Sequence, residues 1–219
     1  MYSICNFLQR GTLRMFADYK VEGKEHVPEK GPLLVVANHQ SNFDPPVLGA
    51  SVPRRLWFLA KDGIFVNEVA DWFLESYGAY PLSRGSFDPA ALKWVLRKLE
   101  QGEAVAIFPE GTRSQGQGMR KALPGVARIA LRTKVPIMPI AITGTERMVS
   151  WARVFNPTGE IKVQIGRVFS LPDIEGRLGP EVYESLTEMI MRRIAEMLPE
   201  RYQGVYRITQ KGSPIASDD

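Results

Sequence analysis

The sequence predicts an α/β fold in a single domain: a mainly parallel or mixed sheet flanked by helices on both faces, with an amphipathic helix at the N-terminus. Three observations predict it. Short, wholly apolar runs such as "LLVVA" and "AVAIF" have strand length and the character of strands buried on both faces. They alternate with helical patterns along the chain, the signature of strands covered by crossover helices. The 219 residues contain no linker or internal repeat, and they suffice for one substantial core but not two.

In the first segment, Ile4, Phe7, Leu8, Met15, Phe16 and Tyr19 recur near helical spacing, and Arg10, Arg14 and Lys20 fall among the polar positions. Residues 1–20 therefore read as an amphipathic helix, whose apolar stripe packs on the domain's own core or lies in a membrane interface. Strands follow near 33–37, 56–60, 104–108, 137–142 and 161–169, with helices near 64–76, 88–101, 124–133 and 180–198. Turn signals separate them, among them "EKGP" before the first core strand and "GTRSQGQG" after "AVAIF". Pro136 and Pro139 around the strand in "VPIMPIAI" predict that it starts irregularly or lies where some backbone N–H groups are not needed. The tail "QKGSPIASDD" is polar and aperiodic, and is expected to be disordered.

Composition narrows the function. A net charge of +4 suits anionic ligands or an anionic surface without choosing between them. One cysteine, Cys5, permits no intrachain disulfide or thiolate cluster and fits a reducing cytoplasm, and two histidines do not make a histidine-rich zinc site, so no metal is expected. No apolar run approaches the roughly 20 residues of a spanning helix. Arg10 and Arg14 interrupt any signal-peptide core, so the chain is expected to be mature as written. Phosphate-loop, dinucleotide and zinc-protease motifs are absent, and the scattered basic residues argue against nucleic acid as a partner.

The segment "LLVVANHQSNFDPPVL" carries the most chemistry. A buried-type strand ends at His39, and Asp44 follows five positions later, before Pro45 and Pro46. On one continuous helix that offset would separate the two side chains. A strand, a loop and a new helix capped by Asp44 would instead let His39 fold back onto its carboxylate. Asp44 would then fix the imidazole tautomer and leave the other ring nitrogen to take a proton from a substrate hydroxyl. The plainer alternative is helix capping by Asp44 and local hydrogen bonding by His39. Ser41 lacks the Gly-x-Ser-x-Gly elbow of an exposed nucleophile.

A second constellation, "AVAIFPEGTRS", places Gly111, Thr112, Arg113 and Ser114 after a strand, where a planar guanidinium and hydroxyl donors form a plausible phosphate clamp. Glu110 fits such a clamp only by holding Arg113 or by accepting from a ligand hydroxyl. An ordinary turn with solvated charges is the alternative. Arg84 in "GAYPLSR" and Lys61 closing "WFLAK" are further candidate anion ligands. The aromatics Trp57, Phe58, Phe65, Trp72, Phe73, Tyr77 and Tyr80 could line an apolar tunnel or serve as core.

In order, "NHQSNFD", "GAYPLSR", "FPEGTRS" and "VPIMPIAI" resemble the four motif blocks of the glycerolipid acyltransferase family that includes 1-acylglycerol-3-phosphate acyltransferase. They span Asn38 to Ile142. The resemblance implies that His39 and Asp44 are the catalytic pair, and that Arg84, Glu110, Gly111, Thr112 and Arg113 bind the phosphorylated acceptor; Lys61, outside the four blocks, is expected beside them as a further substrate ligand. The fourth block is linked in the family to acyl-donor binding or to shaping the site. It implies transfer of a fatty acyl group from acyl-CoA or acyl-carrier protein, a co-substrate rather than a bound cofactor, to the sn-2 hydroxyl of 1-acyl-glycerol-3-phosphate (lysophosphatidate), giving phosphatidic acid. The organisation expected is a membrane-associating helix over 1–20, an acyltransferase domain over 21–205 and a tail over 206–219. The location expected is peripheral, on the phospholipid surface of the cytoplasmic face of the cell membrane. Glycerol 3-phosphate or another lipid acceptor, a thioesterase, and a non-catalytic membrane-binding protein are the alternatives.

Overall fold

A computed structural model describes residues 1–82, 88–148, 153, 155–174, 176 and 178–207. Its centre is a seven-stranded sheet in the order β1-β7-β6-β2-β5-β3-β4. The strands are β1 (Asp18–Glu22), β2 (Leu33–Ala37), β3 (Leu56–Lys61), β4 (Ala79–Leu82), β5 (Ala104–Ile107), β6 (Ile137–Thr143) and β7 (Glu160–Ile165). Five strands, β6-β2-β5-β3-β4, run parallel. β7 pairs antiparallel with β6 and parallel with β1, so the sheet is mixed.

Period-two alternation explains the uniform burial of β2. Leu33, Val35 and Ala37 enter one apolar cluster with Leu13, Val47 and Leu48, while Leu34 and Val36 enter the other with Val126, Ile190 and Ile194. The first face is covered by α1 (Tyr2–Phe16) and α2 (Asp44–Ser51). The second is covered by α4 (Pro89–Glu100), α5 (Gly125–Thr133) and α6 (Pro180–Ala195). α3 (Glu68–Tyr77) precedes β4 at one edge, and the short α7 (Glu200–Gln203) follows α6. Local chemistry sets several ends: Asp88 caps α4 by accepting from Ala90 and Ala91 N–H, and Asn67 caps α3 through Ala70 N–H.

The structure departs from the sequence reading at the edges. Residues 18–20, read as the end of the first helix, belong to β1, where Tyr19 and Val21 alternate inward. β4 was not expected as a strand. The helix expected from residue 64 begins at Glu68, after a 3-10 turn over Asp62–Ile64. The strand expected over 161–169 stops at Ile165, and Phe169 makes a separate bridge to Ile137. α6 ends at Ala195, and the next residues lead to Pro199. Pro139 stands just before pairing with β7 begins at Ile140, so its missing N–H interrupts no ladder on that side. Tyr206 is buried and its hydroxyl accepts from Ala122 N–H. The segment 210–219, expected to be disordered, lies outside the described residues.

α1 is inverted relative to an ordinary surface helix. Its buried positions are Asn6, Gln9 and Leu13, while Ile4, Phe7, Leu8, Met15 and Phe16 face outward. The apolar stripe therefore does not pack on the domain's core. Polar contacts fix the helix instead: the Tyr77 hydroxyl donates to Asn6 Oδ1 at 2.7 Å, and Arg10 Nε donates to Ala50 O at 3.0 Å. Gly49 of α2 makes this close crossing possible, since a Cβ there would sit 2.4 Å from the Tyr77 hydroxyl.

Candidate active site

Sheet register brings the two main motifs together. Val36 of β2 lies opposite Ile107 of β5, so His39, Glu110 and the residues after them leave neighbouring parallel strands at the same edge. The loop after β2 is held to the loop after β5 by backbone bonds from Ser114 N–H to His39 O (2.7 Å) and from Gln115 N–H to Gln40 O (3.3 Å). Asn38 continues the sheet beyond the end of β2: its side chain donates to Ile142 O at 2.9 Å and accepts from Ile142 N–H at 2.8 Å. A side chain thus replaces backbone pairing, and the main chain is free to turn at His39.

His39 Nδ1 lies 2.7 Å from Asp44 Oδ2. That oxygen also accepts from Gln40 N–H at 2.6 Å and Ser41 N–H at 2.8 Å, while Oδ1 accepts from the Thr145 hydroxyl at 2.5 Å. Four donors converge on a wholly buried carboxylate, so it is held as an acceptor and Nδ1 carries the proton. Nε2 is left as the unprotonated nitrogen of a side chain that is 18% exposed and stacked on Phe108 at 4.4 Å between ring centroids.

One detail differs from the sequence reading. Asp44 does not cap α2; the cap position is Phe43, and the carboxylate turns back to the preceding loop. Pro46 gives the reason. As the second residue after an Asp44 cap it would offer no N–H, whereas Gln40 and Ser41 offer two. Ser41 is buried, with its hydroxyl donating to Met148 O at 3.3 Å and accepting from Phe43 N–H, and it meets no base.

Glu110 also departs from the expected clamp. It does not pair with Arg113. Oε1 accepts from His39 N–H and Oε2 from Arg120 N–H, both at 2.7 Å, and the side chain is buried. Burial raises its pKa to about 7, against the lowering effect of those two bonds and of His39; the Asp44 charge raises it further. Gly111 makes the turn beyond it with φ +66°, in the left-handed region. Thr112 is exposed and Arg113 half-buried, and Arg113 has no hydrogen bond or ion pair among the described residues. Lys61 is exposed at the end of β3, at the same sheet edge as His39. Arg84 lies outside the described residues.

Among the described residues the aromatics form two groups: Phe58, Tyr77 and Phe73 stack in series on one face of the sheet, Trp57 and Tyr80 pack against Trp94 on the other, and Trp72 is exposed on α3. A surface groove lined by Leu92, Arg128, Lys134, Asp173 and Tyr183 holds none of the groups above and lies beside Lys134, before β6 begins. Sequence reasoning missed Gln40 and Thr145. Gln40 accepts from the Ser114 hydroxyl and Gly116 N–H, and no periodicity marks it. Thr145 is 101 residues from its partner, in a 3-10 turn after Gly144, with no local signal linking the two.

The sequence model of the Acyltransferase family matches residues 18–143. A 1-acyl-sn-glycerol-3-phosphate acyltransferase of Bacillus subtilis is 29% identical over 198 residues, covering 90% of this chain and 96% of that protein. A lyso-ornithine lipid O-acyltransferase of Pseudomonas aeruginosa is 37% identical over 113 residues, 51% of this chain and 43% of that protein. The crystal structure of a 1-acyl-sn-glycerophosphate acyltransferase from Thermotoga maritima superposes with a TM-score of 0.69 at 28% identity, covering 89% of this chain and 78% of that one.

Proposed function

Since the chain belongs to the Acyltransferase family, we propose that it transfers a fatty acyl group from an acyl thioester to the sn-2 hydroxyl of 1-acyl-glycerol-3-phosphate, giving phosphatidic acid. The observation that carries the reading is the His39–Asp44 contact at 2.7 Å, with Asp44 wholly buried under three further donors.

In the mechanism, Nε2 of His39 removes the proton of the acceptor hydroxyl as its oxygen attacks the thioester carbonyl. The C–S bond then breaks, and the imidazolium returns the proton to the departing thiolate, so no acyl-enzyme forms. Asp44 keeps the tautomer and stabilises the imidazolium. Arg113 and Lys61, cations at the ends of β5 and β3, hold the acceptor phosphate and orient its hydroxyl. Arg84 joins them in this reading. The donor is acyl-CoA or acyl-carrier protein.

The membrane phospholipid surface is the second partner. The outward stripe of Ile4, Phe7, Leu8, Met15 and Phe16 supports a helix lying in one leaflet with Arg14 near lipid phosphates. No helix among the described residues is long and apolar enough to cross a membrane. Attachment is peripheral in this reading, at the cytoplasmic face.

The named Pseudomonas relative favours one alternative, a lipid acceptor built on an amino acid. The test is an assay matrix that crosses acyl-CoA and acyl-carrier protein with lysophosphatidate, glycerol 3-phosphate and a phosphate-free lysolipid, with thiol release and acylated product as readouts. Transfer to lysophosphatidate above the other acceptors is the expected outcome. Preference for the phosphate-free lysolipid would reassign the acceptor, and thiol release independent of any acceptor would make the protein a thioesterase.

A further inference from the structure

Glu110 is a buried acidic side chain with no ion pair among the described residues, and it takes no direct part in the acyl-transfer step. Its two oxygens are both engaged by backbone N–H groups, one from His39 and one from Arg120. Burial and these two charge-assisted bonds direct the carboxylate at the main chain of its own loops. The loop that supplies Arg120 is itself fixed by the end of the described chain. Met119 N–H donates to Tyr202 O at 2.9 Å, Val205 N–H donates to Met119 O at 3.1 Å, and Ala122 N–H donates to the Tyr206 hydroxyl at 2.9 Å. The two backbones touch: a Cβ on Gly204 would sit 2.1 Å from Met119 O. Tyr202 extends the link by donating to Glu146 Oε1 at 2.7 Å, beside Thr145.

We infer that Glu110 is a positioning residue for His39, tying the backbone of the base to a loop that the segment 200–206 holds in place. The inference rests on the acyl-transfer reading and deepens it. A carboxylate suits this role because each of its oxygens takes one N–H donor, and an amide would turn a donor towards one of them. A bent or shifted His39 backbone would misdirect Nε2 while leaving the Asp44 contact available, so the loss falls on turnover rather than on binding. The titrating and charged groups around Glu110 are His39, Asp44 and Tyr206. Ionised Glu110 accepts most strongly from both donors, so activity should rise with pH through its ionisation at about 7.

The experiment compares wild type with Glu110→Gln and Tyr206→Phe, using an acyl-CoA donor and lysophosphatidate. Glu110→Gln is expected to lower kcat by about tenfold or more with the acceptor KM changed by less than about twofold. The slope of the acid limb of log(kcat/KM) should fall by about one as the Glu110 ionisation is lost. A raised acceptor KM with unchanged kcat would overturn the inference and make Glu110 an acceptor ligand, as would an unchanged acid slope. If Glu110→Gln does not fold, Tyr206→Phe decides: it leaves the carboxylate and frees the loop, and it should show the same fall in kcat at steady KM. The chain has two histidines, so a third readout needs no turnover. The His39 Nδ1–H resonance should be sharp in wild type and exchange-broadened in Glu110→Gln, and a resonance equally sharp in both would overturn the inference. Failure of wild type to acylate any acceptor would sink the functional reading, while the resonance would still judge Glu110.

Discussion

The Thr145 hydroxyl donates to Asp44 Oδ1 at 2.5 Å, which leaves Oδ2 to hold His39 and two loop N–H groups. Thr145→Val keeps the volume and removes the donor. It should destabilise the fold by about 1.5–3 kcal/mol, the range for a hydrogen bond to a charged group, and reduce turnover as the carboxylate turns. Thr145→Ser should restore most of both, as measured by urea unfolding and initial rates.

His39→Ala removes the base from a side chain that is only partly covered. Acyl transfer should fall by about 10²–10⁴-fold, the usual contribution of a positioned general base, with little change in far-ultraviolet circular dichroism. Near-normal turnover in that variant would end the assignment of His39 as the base.

The raised pKa of Glu110 makes stability depend on pH. The folded chain holds this proton up to about pH 7, whereas an unfolded carboxyl releases it near its ordinary value of 4.5. The folded state therefore binds more protons between those limits. The contribution of this group to stability is full below the unfolded value, and is lost as pH rises through about 7, by about 3 kcal/mol. Glu110→Gln should flatten that part of the pH–stability curve in denaturant titrations. The form needed for turnover is then the less stable one.

Arg113 has no partner among the described residues and stands at the site edge. Arg113→Ala should raise the KM for lysophosphatidate by about tenfold or more, as expected for loss of a phosphate contact, and leave a phosphate-free acceptor unaffected. An equal effect on both acceptors would mean that Arg113 shapes the loop instead.

Phe7, 75% exposed, is the most accessible of the outward stripe together with Met15. Phe7→Asp should weaken sedimentation with anionic phospholipid vesicles by about tenfold or more and leave the thermal midpoint unchanged. A fall in thermal midpoint with vesicle binding intact would place Phe7 in the fold rather than in the lipid contact.

Much of the fold was legible because the central strands are buried on both faces and read as continuous apolar runs. β1 was hidden because Tyr19 continued the helical spacing of Phe16 and Met15, although Tyr19 and Val21 also alternate with charged neighbours. β4, with Pro81 inside four residues, offered no strand pattern at all. His39 and Asp44 were legible as a pair because a strand end, a loop and a proline-led helix occur within eight residues. Their supports were not. Glu110 was visible as a residue, but which N–H groups it accepts from depends on the loops that register brings together. Thr145 and the 200–206 segment act only through the folded topology.

The bonds that fix His39 are closed over long stretches of chain: 71 residues from His39 to Glu110, 101 from Asp44 to Thr145 and 104 from Asn38 to Ile142. Contacts of that separation form slowly, because loop closure must precede any gain from the contact. Regain of turnover after dilution from denaturant should thus lag behind regain of helical signal, and enzymatic activity becomes a reporter of non-local pairing such as β6 against β2. A chain released before β6 is synthesised has His39, Asp44 and Glu110 but lacks the Ile142 and Thr145 partners that brace the loop, so its turnover should be low until they arrive.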